Sequence, residues 1–215
     1  MMKLALIGAT GFVGKAVLAE ALTRGYAVTA IARNTQTIEV NSDKLTTAAV
    51  DIFDTGKLAA ALEGHDAVVS SFNAGWGNPN LYNDFLKGSE LIQQAVKQSG
   101  VKRLLVIGGA GSLYAAPGLQ LVDTPQFPAE WKAGATAARD YLSILKKEED
   151  LDWTFLSPAI NLHPGERTGK FRLGTDEPVF DEAGHADISV EDMAVAILDE
   201  LENNQFVKRR FTLGY

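Results

Sequence analysis

Leu4-Ala5-Leu6-Ile7-Gly8-Ala9-Thr10-Gly11-Phe12-Val13-Gly14 opens the chain as an apolar run that meets three glycines spaced by three, and Lys15 to Leu22 follows in a helical pattern. The junction predicts a strand, a tight turn and a helix. In such a turn the first glycine permits the sharp exit from the strand, the second lets the backbone approach a diphosphate, and the third lets the helix pack close to the sheet. The helix then aims unpaired amides at the anion. Gly8, Thr10, Gly11, Phe12, Val13 and Gly14 are therefore the first candidate dinucleotide-binding residues. A triphosphate-binding loop ending at Gly14-Lys15 is excluded, because Ala9 stands where its leading glycine belongs and Ala16 where its magnesium-binding hydroxyl belongs.

Short apolar runs alternate with helical patterns along the rest of the chain. Lys3 to Ile7, Ala27 to Ala32, Leu45 to Val50, Ala67 to Ser71, Arg103 to Ile107 and Trp153 to Ser157 read as strands, mostly continuous in hydrophobicity, as strands buried on both faces are. Between them, Thr55 to Leu62 reads as a helix capped by Asp54. Asn78-Pro79 reads as a cap and first residue, with Leu81, Phe85, Ile92 and Val96 on one stripe of a helix ending near Ser99-Gly100. Trp131, Ala135, Ala138, Leu142 and Leu145 repeat that pattern; Ser189 with Asp192 starts another helix; Arg210 to Leu213 reads as a last strand. Strand then helix, repeated, predicts an α/β fold: a Rossmann-like, doubly wound parallel sheet. We read residues 1–215 as one domain with a small C-terminal substrate-side elaboration, its substrate-side elements mainly in 108–130 and 158–190.

Composition narrows the function classes. The chain carries 27 acidic against 20 basic residues, a formal charge of −7, and no basic block, which argues against a nucleic-acid surface. The cluster Lys208-Arg209-Arg210 reads as the cap of the final strand. No cysteine is present, so disulfides, thiolate catalysis and cysteine metal sites fall away. His65, His163 and His185 show no ligand spacing, and no metal is expected; Asp181 and Asp187 read as loop solvation. The N-terminal apolar run meets glycine too soon for a signal peptide or membrane span, so a cytoplasmic protein without a membrane partner is expected. The sequence leaves the oligomeric state open, a homodimer being one option.

Ligands of such sheets lie beyond the carboxyl ends of the strands. After the second strand, Ala32-Arg33-Asn34 offers a guanidinium where an NAD-binding protein usually has an acid, so Arg33 predicts NADP(H) over NAD(H). Asp51 and Ile52 are candidates for the adenine, Asp51 being equally suited to closing its loop. Ser71, Asn73 and Ala74 are small and polar, as a backbone lying along a ribose requires; Gly108 and the run Pro158, Ala159, Ile160 and Asn161 complete the nicotinamide side.

The Gly-x-x-Gly-x-x-Gly spacing resembles that of extended and atypical short-chain dehydrogenase/reductases. Leu151 to Ala159, Pro164-Gly165-Glu166-Arg167-Thr168-Gly169-Lys170-Phe171-Arg172, Ile188 to Ala196 and Arg210 to Tyr215 are similar to the bacterial NADH-flavin reductase-like members of the atypical group. That group stands with NmrA-like and epimerase/dehydratase-like NAD(P)-binding proteins, and the likeness covers essentially the whole chain. It implies a Rossmann-type oxidoreductase, with FMN or FAD as a candidate substrate; the fold alone does not name the acceptor.

One departure is informative. Carbonyl-reducing members of the wider family use Tyr-x-x-x-Lys, a phenol whose proton is made labile by an ammonium. Here Tyr82 meets Leu86, Tyr114 meets Gly118 and Tyr141 meets Leu145; if Lys132 fills the lysine position, Pro128 stands at the tyrosine position. Flavin or quinone reduction needs no such acid, because stacking the acceptor on the nicotinamide does most of the work. Trp76, Tyr82, Tyr114 and Trp131 are candidates for an aromatic ledge, and Gly108-Gly109-Ala110-Gly111-Ser112 for the space that admits a flat ring. Ser112, His163 and Lys132 are the candidate catalytic residues. Arg167 could hold a flavin phosphate or brace a lid, or pair with Glu166 or Asp176. Two readings follow: an NADPH-dependent reductase of a flat small-molecule acceptor, and an NmrA-type sensor that binds the cofactor without turnover. A nucleotide-sugar epimerase/dehydratase is third, lacking a proton-transfer group.

Overall fold

The computed structural model describes residues 2–215. Its central sheet is built from β1 (Lys3–Ile7), β2 (Ala27–Ala32), β3 (Leu45–Ala49), β4 (Ala67–Ser70), β5 (Arg103–Ile107), β8 (Asp152–Leu156), β12 (Arg209–Gly214) and β10 (Arg172–Gly174). The spatial order is β3-β2-β1-β4-β5-β8-β12-β10, parallel throughout except for β10, which runs antiparallel to β12. Two small pairs lie outside it: β6 (Tyr114–Ala116) with β7 (Leu119–Gln120), and β9 (Asn161–His163) with β11 (Asp187–Ser189).

Alternation along each central strand feeds two hydrophobic layers. In β1, Leu4 and Leu6 enter the layer shared with Val17, Leu18, Ile197 and Leu198, whereas Ala5 and Ile7 enter the opposite one with Leu58, Phe85, Ile92 and Leu142. Helices α1 (Phe12–Thr23) and α5 (Val190–Asn203) pack together on the first face. Helices α2 (Thr55–Leu62), α3 (Leu81–Ser99) and α4 (Ala129–Leu145) cover the second. This is a Rossmann-like α/β fold, as the strand-helix alternation implied.

Local chemistry sets the helix ends. Asp54 and Ser189 cap α2 and α5, accepting from the amides of Lys57 at 3.1 Å and Asp192 at 3.0 Å. Helix α3 stops at Gly100 and α5 at Asn204, both in the left-handed region. Two expectations are corrected. Helix α3 begins at Leu81, not Pro79, because Asn78 closes a turn of its own: its Oδ1 accepts from the Asn80 amide and its Nδ2 donates to Asp84. The basic cluster does not simply cap the last strand either. Arg210 is buried inside β12, where it pairs with Asp176 and donates to the Ser112 carbonyl.

Candidate functional site

The carboxyl ends of β1, β2, β4, β5 and β8 share one edge of the sheet. From β1 the chain winds one way to β2 and β3 and the other way to β4 and β5, so a crevice opens between β1 and β4. Gly8 sits in it at φ +81°, bonded through its amide to the Ile31 carbonyl at 3.0 Å. A Cβ at Gly8 would lie 2.7 Å from the Ser71 carbonyl oxygen, and one at Gly14 would lie 2.1 Å from the Gly8 carbonyl oxygen. Packing of the protein itself therefore demands both glycines.

Gly11 differs. Its φ is −76°, and a Cβ there would have one neighbour, the Gly8 oxygen, at an ordinary 3.4 Å. It is exposed, and it precedes α1 without a side-chain cap, so the first-turn amides of Phe12, Val13 and Gly14 lack intrahelical acceptors. An uncapped helix start beneath an open glycine fits a diphosphate. Thr10 is half-buried beside it.

At the β2 end Arg33 is exposed and joins none of the ion pairs among the described residues. After β3, Asp51 closes its loop by accepting the Phe53 amide at 3.0 Å. Ile52 is buried: it is 7% exposed and packs with Phe72 against Gly88, in the core. The neighbouring Phe53 ring, which the sequence reading passed over, is 50% exposed instead.

Several other candidates are already engaged. The Ser71 hydroxyl donates to the carbonyls of Ile7 at 2.9 Å and Gly8 at 3.1 Å, bracing the turn rather than facing a ribose. Asn73 is exposed and accepts the Gly75 amide at 2.7 Å; Ala74 is half-buried. Ala159 is in the core at 2% exposure, and the Asn161 side chain is bonded to Asp187, which leaves Pro158 and Ile160 at the edge. Gly108 does not make room for a ring: its missing Cβ is replaced by the Phe155 ring, 1.9 Å from where the Cβ would lie, and the space at Gly111 is taken by Ala135 and Val122.

The catalytic candidates divide in the same way. Ser112 is fully buried, its hydroxyl shared with the Gly109 carbonyl at 3.2 Å and Ser157 Oγ at 3.1 Å, so it offers no hydrogen bond to an acceptor. His163 is half-buried on β9 with Nδ1 3.0 Å from the Pro164 carbonyl oxygen. Lys132 is exposed in the first turn of α4, next to Trp131. Trp76 and Trp131 meet edge to face with centroids 4.7 Å apart, and remain 53% and 45% exposed. Gly134 lets the Trp76 ring close onto α4. Tyr114 is half-buried, with the Arg210 guanidinium over its ring at 5.7 Å. The Tyr82 hydroxyl donates to Asp140 at 2.8 Å, and that carboxylate pushes the phenol up, away from use as an acid. Pro128 caps α4, so no phenol stands where the Tyr-x-x-x-Lys pattern would put one.

Arg167 takes neither sequence-expected partner. It forks onto Glu20 of α1 at 2.6 and 2.8 Å, and that guanidinium, with Arg24, holds the Glu20 carboxyl below the usual range against the opposing effect of burial. Asp176 belongs to Arg210. Asp181 binds the backbone of its own loop, accepting from the amides of Ala183 at 2.9 Å and His185 at 2.7 Å.

A doubly wound sheet with an open glycine turn at its switch point defines a nicotinamide-nucleotide-binding protein of the Rossmann type. Comparison with known proteins agrees. The pattern of the NAD(P)H-binding family matches residues 8–204, and the chain belongs to that family. It is 37% identical over 215 residues to the uncharacterized protein YwnB of Bacillus subtilis (strain 168), covering 99% of this chain and 98% of that one. Among solved structures it is similar to a presumptive epimerase from Bacteroides thetaiotaomicron, with 43% identity, TM-score 0.93, and 100% and 97% of the two chains covered. It is also similar to a presumptive NADH-flavin reductase from Streptococcus pneumoniae TIGR4, with 38% identity, TM-score 0.87, and 100% and 99% covered. These neighbours accord with the atypical short-chain dehydrogenase/reductase group that the sequence resembles. No helix among the described residues is long and apolar enough to cross a membrane.

Proposed function

We propose that this protein is an NADPH-dependent reductase that passes hydride to a flat acceptor, a flavin or a quinone. The observation that carries the reading is the pairing of an open glycine turn at Gly11 with two half-exposed tryptophans, Trp76 and Trp131, while Pro128 stands at the start of α4 and the Tyr82 phenol is held on Asp140. A flat ring needs stacking more than acid catalysis. Bound at the glycine turn, NADPH would supply a hydride, and a flavin or quinone acceptor would need one further proton, which water can give. Lys132 and His163 are assigned to steady the charge that would develop on the acceptor, the first exposed at the start of α4 and the second half-buried on β9. NADPH oxidation against FMN, FAD and a naphthoquinone tests the reading, and bound NADPH with no turnover on any of them would overturn it. That outcome would favour the second reading, an NmrA-type sensor, which the missing Tyr-x-x-x-Lys suits equally well.

Arg33 is assigned to the 2′-phosphate, since it is exposed at the β2 end and joins none of the ion pairs among the described residues. Losing a charge-assisted, forked phosphate contact costs about 2 kcal/mol, so Arg33→Ala weakens NADPH binding roughly thirtyfold. NADH binding stays within about twofold of its value in the parent protein, having no phosphate to lose. Parallel titrations of both nucleotides check this, and an unchanged NADPH preference removes Arg33 from the site.

A further inference from the structure

We infer that Gly134 of α4 is the positioning residue for the acceptor: the notch it leaves seats Trp76 at a steep angle to Trp131, and the two indoles hold one flat, electron-poor ring system between them. This deepens the reductase reading above and rests on it. Helix α4 is rich in alanine, at positions 129, 133, 135, 137 and 138, and a glycine inside it holds the helix less well than a further alanine would. The backbone does not demand that glycine, since Gly134 is not among the residues in the left-handed region. Space demands it. A Cβ there would lie 2.7 Å from Trp76 Cζ3, and 3.2 Å from both Trp76 Cη2 and Leu81 Cδ2.

Other notches of this kind seat core side chains: Gly108 takes the Phe155 ring and Gly88 takes Ile52, both of them buried. Gly134 instead receives a ring that stays 53% exposed. The helix thus gives up stability to fix the direction of a side chain that adds little to the core, and such a ring points to a ligand. On either side of Trp76, Gly75 and Gly77 have open space beside them, so the contacts on α4 hold the indole. Trp131, one turn before Gly134, meets it with an interplanar angle of 81°.

Both walls of this corner belong to the cofactor edge of the sheet. Trp76 reaches α4 from the β4 exit, where Ser71 donates through its amide to the Ile7 carbonyl and through its hydroxyl to the Gly8 carbonyl of the glycine turn. Helix α4 is docked on the exit of the neighbouring strand β5, Ala135 filling the space at Gly111. A flat ring stacked on one indole presents its edge to the face of the other, and the electron-rich indole faces favour an electron-poor guest.

Calorimetric titration of the NADP+ complex, where no turnover occurs, with 2-methyl-1,4-naphthoquinone tests the assignment. Gly134→Ala is expected to weaken quinone binding about tenfold by pushing Trp76 off the helix, and Trp76→Ala, which leaves α4 untouched, by a similar factor. Affinity for NADP+ stays unchanged in both. The circular-dichroism couplet of two indoles in contact is present in the parent protein and lost in both variants. Melting of Gly134→Ala holds within about 2 °C of the parent, because the atom in the way is the far end of a side chain and alanine is the better helix former. Adding Trp76→Phe to Gly134→Ala restores part of the quinone affinity, since a phenyl ring lacks the outer atoms that the new methyl meets. A parent protein without the couplet or without quinone binding, either single variant with unchanged quinone affinity, or a loss shared equally by NADP+ would each overturn the assignment. If the quinone binds with this dependence but neither flavin nor quinone oxidises NADPH, the reductase reading falls and the positioning role of Gly134 stands.

Discussion

Gly14→Ala is expected to lower NADPH affinity by at least about a hundredfold and to destabilise the fold by roughly 1–3 kcal/mol. The added methyl would lie 2.1 Å from the Gly8 carbonyl oxygen, 2.8 Å from its carbon and 2.9 Å from Ala9 Cα. All three are backbone atoms, with no rotamer to yield. Helix α1 must back away from β1, and its open amides move with it, off the diphosphate. Gly11→Ala is the informative partner. Nothing in the protein crowds that position, so melting should shift by no more than about 2 °C, while a methyl on the exposed face of the turn obstructs the ligand and weakens binding about tenfold or more. Calorimetry and thermal melting on both variants separate the roles. A Gly14→Ala protein that binds NADPH normally would falsify the placement of the diphosphate.

The second large effect lies at the opposite end of the sheet. Glu200, 3% exposed near the end of α5, accepts from Arg103 Nη2 at 2.7 Å, Thr154 Oγ1 at 3.0 Å, and the amides of Gln205 at 2.9 Å and Phe206 at 3.0 Å. Burial pulls the Arg103 guanidinium down from its ordinary range, and the Glu200 carboxylate opposes that pull. Glu200→Ala strands a buried cation and two amides at once. The expected loss is about 3–5 kcal/mol, or roughly 10 °C in melting temperature for a chain of this size. Adding Arg103→Met should restore part of it, because the unpaired charge goes while the amides stay unsatisfied. A single-variant loss under about 1 kcal/mol in urea unfolding would mean that the pair is solvated and the interaction ordinary.

The candidate site was legible wherever it rests on backbone. The glycine turn, the strand ends and the exposed Arg33 follow from local pattern, since a phosphate seat is made of amides whose positions a strand-turn-helix dictates. Side-chain assignments fared otherwise. Ser71 and Ser112 have hydroxyls of the right kind at the right strand ends, yet both serve their neighbours' carbonyls. Gly108 looked like space for a ligand and is space for Phe155. Arg167 had acids close in sequence but found Glu20, 147 residues away. The small strands β6, β7, β9, β10 and β11 run two or three residues each, too short for any alternation to register.

Sequence alone determined the doubly wound sheet, its parallel strands, the capping of α2 and α5 and the glycine turn, because each depends on residues within a turn or two of one another. Tertiary structure alone decided which polar groups remain free for a ligand and which are consumed. Those outcomes are contests between distant segments for the same hydrogen-bonding and packing partners, and no local pattern records which segment wins.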